Sequence, residues 1–280
     1  MKPSITIYGL GYVGTGVATF LKRHYVVQAV DPVPNMEKAD GLGIKIYTNA
    51  SDASPTPFAV VCVPTPMSED GACDTSIVEE VLRKTDHEHY LIKSTVIPGT
   101  TERLKKVTKK NIVFSPEYLG EGNYQMPFWK GYPHPTDMTL HSFHIFGGAP
   151  KHTQKWVDLW QRIAGWDPEY RQTDSTTAEL VKYMENAFLA TKKIFCDEFY
   201  EIAQAMDVNY SELRELWLLD GRMGRSMTLI YPDSRGFGGK CLPKDVIAIA
   251  QAAKKAGYTP GLIDEVLRSN KKFRKEERED

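Results

Sequence analysis

Cys241 is the residue of this chain whose surroundings most favour covalent chemistry. It lies in the segment GFGGKCLPKD, between a glycine-rich loop and Pro243, a residue typical of the first turn of a helix. The helix dipole stabilises a thiolate at a helix N-terminus, and Lys244 adds positive charge nearby. A lone cysteine is more often a small buried side chain. We keep that ordinary interpretation for the other three cysteines, which are Cys62, Cys73 and Cys196.

Lys182 and Asn186 are four residues apart in a predicted helix, so their side chains project from one face. An ammonium group beside an amide could hold a sugar hydroxyl and then stabilise an alkoxide or a tetrahedral oxyanion. The alternative is a solvated helix face without a catalytic role, and the spacing alone favours that alternative.

Two segments with polar side chains follow predicted strands. Glu117 and Glu121 lie in SPEYLGEG, and Ser94 and Thr95 lie in KSTVIPGT. Ligands of open parallel sheets gather at the carboxyl ends of strands, so we expect these four residues to face one crevice. Turn and capping chemistry is the alternative, since serine, threonine, proline and glycine serve it equally well.

The N-terminal segment carries a dinucleotide-binding fingerprint. Gly9, Gly11 and Gly14 form GxGxxG between a predicted strand and a predicted helix, and Asp31 ends the next strand. The glycines let the backbone approach a pyrophosphate at the helix N-terminus. Asp31 would accept hydrogen bonds from the adenine-side ribose and disfavours a 2′-phosphate, so we expect NAD rather than NADP. A glycine turn in an α/β fold without a cofactor is the weaker alternative.

A parallel sheet is needed to bring these strand ends together. Alternating strands and helices predict an α/β fold with a Rossmann-type parallel sheet. This sheet and its helices would form an NAD-binding domain over residues 1–167. The predicted strands are 4–8, 25–30, 58–63, 90–93, 111–114 and 144–146, and the predicted helices are 16–24 and 77–84.

A helical region is predicted after residue 167. Thr176 to Glu179 fits a capping box, and a long central helix is expected to continue to Met206. Two further helices are predicted at 210–219 and 243–257. The charged tail from Asn270 is expected to fray into solvent. Residues 168–280 should therefore form a long central helix and a small all-helical domain that carries the Cys241 loop.

The central helix has more apolar positions than one face of a small domain requires. They predict a homodimer through this helix, because helix pairs that bury such faces form two-fold assemblies. Packing of the same residues on the Rossmann domain is the alternative. The residues concerned include Phe188, Phe195 and Phe199.

The composition limits the classes of function. The 280 residues are 41% hydrophobic and 25% charged with a formal net charge of -1, so no overall field favours nucleic acid or an anionic membrane. No apolar run approaches the roughly 20 residues of a membrane span, and the N-terminus lacks signal-peptide features. The cysteines form no CxxC pair, so we predict neither a metal site nor a disulfide framework. A cytoplasmic location is expected.

Together the motifs resemble those of the UDP-glucose/GDP-mannose dehydrogenase family, in the family's order and over nearly the whole chain. The combination of KCLPKD with AELVKYMEN is the specific part of this resemblance. The family's second nucleotide-binding domain has no counterpart within these 280 residues. The matching segments are GLGYVG, VPTP, KSTVIPGT, SPEYLGEG, AELVKYMENAFLA and GFGGKCLPKD.

The resemblance implies catalytic roles for individual residues. Cys241 would be the nucleophile, and Lys182 and Asn186 would stabilise oxyanions at C6 of the sugar. Asp245 would assist proton transfer and the activation of water. Glu117 would act as an acid/base near the thioester. Thr95 completes the implied catalytic set by ordering water.

The resemblance also implies two sets of binding residues. Arg222 resembles an arginine that reaches the substrate from the neighbouring subunit. NAD would be approached by Gly9, Gly11, Tyr12, Val13, Gly14, Asp31, Thr65, Thr95, Glu121 and Lys244. The nucleotide sugar would be approached by Glu117, Tyr118, Leu119, Glu121, Lys182, Asn186, Arg222, Ile230, Tyr231, Ser234 and Gly238.

The implied reaction is a four-electron oxidation of a sugar primary alcohol to a carboxylate, with UDP-glucose to UDP-glucuronate as the first expectation. Two hydrides would leave in succession, and Cys241 would carry a thioester that water releases. A β-hydroxyacid-type dehydrogenase is one alternative, because a single two-electron oxidation has no need of the cysteine. A non-catalytic NAD-binding subunit is the other alternative.

Overall fold

The computed structural model of the protein describes residues 3–34, 41–119 and 137–275 and divides the chain into two compact units. The first unit is formed by Met1–Pro66 and Asp74–Lys182, and the second by Met67–Cys73 and Tyr183–Asp280. The division between these units falls inside one long helix. The domain boundary that the sequence indicates after residue 167 stays a prediction.

The first unit contains a sheet with eight strands in the described ranges. The spatial order is 3-2-1-4-5-6-7-8, in which β1 to β6 are parallel, β7 is antiparallel to β6 and β8 is parallel to β7. The order reverses between β1 and β4, which confirms the predicted Rossmann-type sheet. The strands are β1 (Ser4–Tyr8), β2 (Val26–Val30), β3 (Lys45–Tyr47), β4 (Phe58–Val61), β5 (His89–Ile92), β6 (Ile112–Phe114), β7 (Phe143–Gly147) and β8 (Glu169–Thr173).

Helices cover both faces of this sheet. Successive strand residues point to opposite faces, so Val60 packs with residues of α1 and α4 while Val61 packs with residues of α2 and α3. The helix α1 begins at Tyr12, earlier than predicted, because it starts directly after the glycine turn. The four helices are α1 (Tyr12–Leu21), α2 (Ser76–Lys84), α3 (Thr100–Thr108) and α4 (Pro150–Ala164).

The long helix α5 (Ser175–Ala205) has 31 residues, begins in the first unit and continues through the second. Its start differs from the predicted capping box. Asp174 accepts a hydrogen bond from the N–H of Thr177 at 2.8 Å. Glu179 instead caps α3, since its carboxylate accepts from the N–H groups of Gly99 at 2.6 Å and Thr101 at 2.8 Å.

The second unit packs three helices with α5, namely α6 (Tyr210–Trp217), α7 (Leu242–Lys255) and α8 (Gly261–Lys275). Its core joins Ile194 of α5, Val246 of α7 and Phe273 of α8. The prediction that the tail frays from Asn270 is wrong. Asn270 and Phe273 are buried, and α8 continues to Lys275, because this part of the charged segment faces the core.

Candidate active site

The glycine fingerprint forms a tight turn between β1 and α1. Gly9 has φ +88°, and a Cβ there would lie 2.7 Å from the carbonyl oxygen of Cys62. A Cβ on Gly14 would lie 1.8 Å from the carbonyl oxygen of Gly9, whereas Gly11, the N-cap of α1, has nothing within 4 Å. The first and third glycines therefore allow close packing, and the second leaves the helix N-terminus open, as a pyrophosphate requires.

Asp31 stands beside this turn, directly after β2. Its Oδ2 accepts a hydrogen bond from the N–H of Leu10 at 2.6 Å, and its Oδ1 accepts from the N–H of Val33 at 2.9 Å. Tyr12 and Val13, in the first turn of α1, are half-buried and pack against the sheet. An open helix N-terminus with a carboxylate on the adjacent strand fits the pyrophosphate and ribose of NAD.

The loops after β4 and β5 are tied together. Thr65 donates a hydrogen bond from Oγ1 to the carbonyl oxygen of Thr95 at 2.8 Å. Ser94 donates from Oγ to the carbonyl oxygen of Val63 at 2.7 Å. The structure thus brings Thr65 and Thr95 together at the carboxyl ends of neighbouring parallel strands, where such sheets bind ligands.

Glu117 is buried after β6, beside a buried lysine. Its Oε1 accepts hydrogen bonds from the N–H groups of Tyr118 at 2.8 Å and Leu119 at 2.6 Å. Lys93 Nζ lies 3.3 Å from Oε2 and donates a hydrogen bond to the carbonyl oxygen of Pro116 at 3.2 Å. Oε2 itself receives no hydrogen bond from the described residues, although it lies within ion-pair distance of Lys93. The role of Lys93 could not be predicted from its own segment, because its partner lies in the loop after β6.

Residues of the SPEYLGEG segment meet other predicted site residues of the first unit. Lys182 Nζ lies 5.2 Å from the centre of the Tyr118 ring, a cation–π distance. Leu119 packs against α1, where a Cβ on Gly16 would lie 2.4 Å from its Cδ1. Glu121 lies outside the described residues.

Glu179 links the start of α5 to the KSTVIPGT segment. It is fully buried, and burial raises the pKa of its carboxyl group while the hydrogen bonds at α3 oppose this. Sequence reasoning missed this role, because the backbone groups that Glu179 binds lie far away along the chain. A signal for a role of Glu179 was nevertheless available, because this residue lies three positions before Lys182 in the segment AELVK.

In the second unit, α5 and α7 bring three predicted residues together. Asn186 donates a hydrogen bond from Nδ2 to Oδ2 of Asp245 at 2.6 Å. Lys244 donates from Nζ to Oδ1 of the same carboxylate at 2.5 Å. Asp245 is only 2% exposed. A buried carboxylate that is held by an amide and an ammonium group is oriented for proton transfer.

Cys241 is the N-cap of α7, one turn before Asp245. The N–H of Asp245 donates to the carbonyl oxygen of Cys241 at 2.9 Å. Cys241 is exposed, whereas the other three cysteines are buried. Burial raises the pKa of both Cys62 and Cys196. The accessible thiol is therefore the one at a helix N-terminus, where a thiolate is stabilised.

The cysteine loop, residues 235–240, leads into Cys241, and its first half is fixed from α5 and α8. The fully buried carboxylate of Asp197 accepts from Arg235 Nε at 2.8 Å and from the N–H of Gly236 at 3.0 Å. Asn270 accepts from the N–H of Phe237 at 2.7 Å and donates to its carbonyl oxygen at 3.1 Å. These anchors were missed, since they are distant in sequence from the motif that they hold.

The remaining predicted substrate residues are more exposed. Tyr231 and Ser234 form a short turn, in which the N–H of Ser234 donates to the carbonyl oxygen of Tyr231 at 2.9 Å. Ile230 is half-buried before this turn, and Gly238 lies in the cysteine loop. Arg222 is exposed and pairs with Asp220 at 2.5 Å.

Membrane-spanning helices and metal-binding groups are both absent from the described ranges. No helix there is both long and apolar enough to cross a membrane. Within the same ranges, His, Cys, Asp and Glu side chains form no group of three or more suited to a metal ion.

Two family models match the chain. The first is the UDP-glucose/GDP-mannose dehydrogenase family, NAD binding domain, over residues 35–130, and the second is the central domain of the same family, over residues 176–272. Together they match more than half of the chain. The central-domain match contains Lys182, Asn186, Cys241 and Asp245.

Individual relatives agree with these models. The chain is 28% identical to the UDP-glucose 6-dehydrogenase AglM of Haloferax volcanii, over 95% of this chain and 69% of that protein. It is 29% identical to GDP-mannose 6-dehydrogenase of Azotobacter vinelandii, over 95% and 68%. A UDP-glucose dehydrogenase structure from Pyrobaculum islandicum matches with TM-score 0.80 and 26% identity, over 97% of this chain and 68% of that one. The chain thus spans about two thirds of the length of these proteins.

Proposed function

The chain belongs to the UDP-glucose/GDP-mannose dehydrogenase family, and from this we propose that it is an NAD-dependent nucleotide-sugar 6-dehydrogenase with UDP-glucose as the first candidate substrate. The observation that carries the proposal is the pair at the start of α7. An exposed thiol at the helix N-cap precedes by one turn a buried carboxylate held by Asn186 and Lys244. A simple NAD-binding module has no physical need for this pair.

Cys241 acts as the nucleophile in this proposal. After the primary alcohol has been oxidised to an aldehyde, the thiolate adds to the carbonyl carbon and gives a thiohemiacetal. Removal of a second hydride leaves a thioester on Sγ. Water then attacks the thioester, which releases the sugar carboxylate and returns the thiol. The first half of the loop that leads to Cys241 is fixed by Asp197 and Asn270.

NAD, when bound, accepts a hydride in each of the two oxidations. The chain supplies its binding site through the open N-terminus of α1 at Gly11 and the carboxylate of Asp31. Thr65 and Thr95 would approach the same cofactor from the loops that follow β4 and β5. The carboxylate of Asp31 would repel a 2′-phosphate, and this favours NAD over NADP.

The polar side chains of the site would manage charge and protons. Lys182 and Asn186 would stabilise the negative charge that develops on the sugar oxygen during both oxidations. Asp245 is held by hydrogen bonds from Asn186 and Lys244. It would accept the proton of the alcohol or of water. Glu117 would act as an acid/base near the thioester, and Thr95 would order the hydrolytic water.

A homodimer through α5 is part of the proposal. In the second unit this helix leaves a continuous apolar face exposed, with Met184 at 75% and Phe188 at 63% exposure. A second copy of the same face is self-complementary in a two-fold pair. Arg222, which pairs only with Asp220 in the described chain, would then reach the substrate of the other subunit. Further exposed members of this face are Phe195, Phe199, Ile202 and Met206.

The identity of the sugar is tested by NADH release with UDP-glucose, GDP-mannose and UDP-N-acetylhexosamines in parallel. We expect turnover with one of them, and UDP-glucose first. No NADH from any of the three would contradict the proposal and favour the non-catalytic alternative. Turnover of a small β-hydroxyacid instead would favour the two-electron dehydrogenase.

A further inference from the structure

The cysteine loop has one immobilised half and one open half. Arg235, Gly236 and Phe237 are held by Asp197 and Asn270, as described above. The following glycines are different. The N–H groups of Gly238 and Gly239 donate no hydrogen bond to any part of the chain that the structure describes. Gly239 is exposed, and a Cβ on it would meet nothing within 4 Å.

Arg274, on α8, lies against the open half of the loop. A Cβ built on Gly238 would lie 2.8 Å from Nη1 of Arg274, 3.2 Å from Cζ and 3.5 Å from Nη2. The guanidinium group therefore lies close to the backbone at Gly238. This contact places a permanent positive charge beside the open half of the loop.

The charge of Arg274 is not neutralised by any carboxylate within the described ranges. Arg235, on the same loop, is buried and pairs with Asp197 at 2.8 Å and Glu201 at 2.6 Å. Arg268, on the same helix as Arg274, pairs with Glu265 at 2.6 Å. Arg274 is exposed and forms no such pair in this part of the chain. An exposed guanidinium beside backbone donors matches the geometry and charge of phosphate oxygens.

We propose that Arg274, with the N–H groups of Gly238 and Gly239, binds the diphosphate of a nucleoside diphosphate sugar. The choice of ligand rests on the proposed function, whereas the anion site rests on the contacts of Arg274 alone. The site places the diphosphate three residues before the nucleophile. It also gives the second unit its own means of recognising the charged part of the substrate.

Calorimetric titration of UDP and of GDP tests this proposal without NAD or any sugar. The variants are Arg274→Ala, Arg274→Lys and the matched control Lys271→Ala, an exposed cation on the same helix. We expect Arg274→Ala to weaken binding of the preferred diphosphate at least tenfold. Arg274→Lys should recover part of the loss because it keeps the charge, and Lys271→Ala should bind like the parent. Raising the salt concentration should weaken binding less in Arg274→Ala than in the parent.

Two results would overturn the proposal: equal diphosphate binding by Arg274→Ala and Lys271→Ala, or no diphosphate binding by the parent protein. The test separates this inference from the proposed function. Diphosphate binding that depends on Arg274, in a protein that forms no NADH, would keep the anion site and reject the dehydrogenase. NADH formation by Arg274→Ala with an unchanged KM for the sugar nucleotide would keep the dehydrogenase and reject the anion site.

Discussion

At the scale of single residues, the candidate chemistry depends on where charge is buried and where it is left accessible. Asp245 is buried but is held between Asn186 and Lys244, so its negative charge is compensated at short range. Cys241 is accessible at the positive end of α7. Each residue therefore occupies the environment that its proposed role requires. The two residues are one turn of α7 apart.

Replacement of Asp245 by asparagine should lower kcat by about a hundredfold or more, because an amide cannot accept the proton. The melting temperature should also fall, because the largely buried Lys244 loses its carboxylate partner. Steady-state NADH formation and thermal unfolding measure the two effects. Asp264→Asn is the matched control, since Asp264 forms a more exposed pair with Lys254. Equal kcat values for the two variants would remove Asp245 from the mechanism.

His144 should make the protein less stable in acid. Burial, with the nearby charges of Lys93 and His141, lowers the pKa of His144 to about 3. The unfolded chain binds a proton near pH 6.5 and the folded chain does not, so stability falls as the pH falls from 6.5 towards 3. This residue should account for roughly 2 kcal/mol of the unfolding free energy lost between pH 7 and pH 4.5.

Urea unfolding at these two pH values, for the parent and for His144→Gln, measures that contribution. The variant should lose less stability on acidification, because glutamine does not titrate. An identical loss in both proteins would show that His144 is not responsible.

At the scale of elements, the apolar strands and the glycine turn could be predicted from sequence, because their signals are local. Helix α3 and strand β8 could not. The start of α3 is capped by Glu179 from another helix, and β8 is a polar edge strand whose residues are mostly exposed. For the same reason Cys241 and Asp245 were found within one motif, whereas Lys93, Asp197 and Asn270 were not.

Asn270 should be a positioning residue for the cysteine loop. Asn270→Asp keeps the acceptor for the N–H of Phe237 but loses the donor for its carbonyl oxygen. We expect a loss of about 1–3 kcal/mol of unfolding free energy, since a buried acceptor is left without a partner, together with a lower kcat. Urea unfolding and NADH formation test this. Ser269→Ala, in the adjacent half-buried position, should change neither, and an unaltered Asn270→Asp enzyme would contradict the role.

At the scale of the whole molecule, charge and exposed apolar surface set the expected assembly. The formal net charge of -1 offers little electrostatic repulsion between copies. Single exposed apolar side chains are ordinary on protein surfaces, but the exposed apolar residues of α5 form one extended face. Burial of this face between two copies is the simplest arrangement that removes it from water.

Phe188→Asp should therefore convert a dimer into a monomer at micromolar concentration, because it places a charge in the apolar interface. Light scattering of the purified protein measures the mass directly. Trp166→Asp is the control, since Trp166 is an even more exposed aromatic residue in the first unit, at 82% exposure. A parent protein with the mass of one chain would contradict the dimer.

The thioester mechanism predicts the number of NADH molecules formed for each UDP-glucose consumed, measured with Cys241→Ser alongside the parent. Two NADH per sugar in the parent and no net formation of carboxylate in the variant are the predicted results. Cys73→Ser, which alters a buried cysteine, should behave as the parent does. One NADH per sugar, or full turnover by Cys241→Ser, would contradict the thioester mechanism.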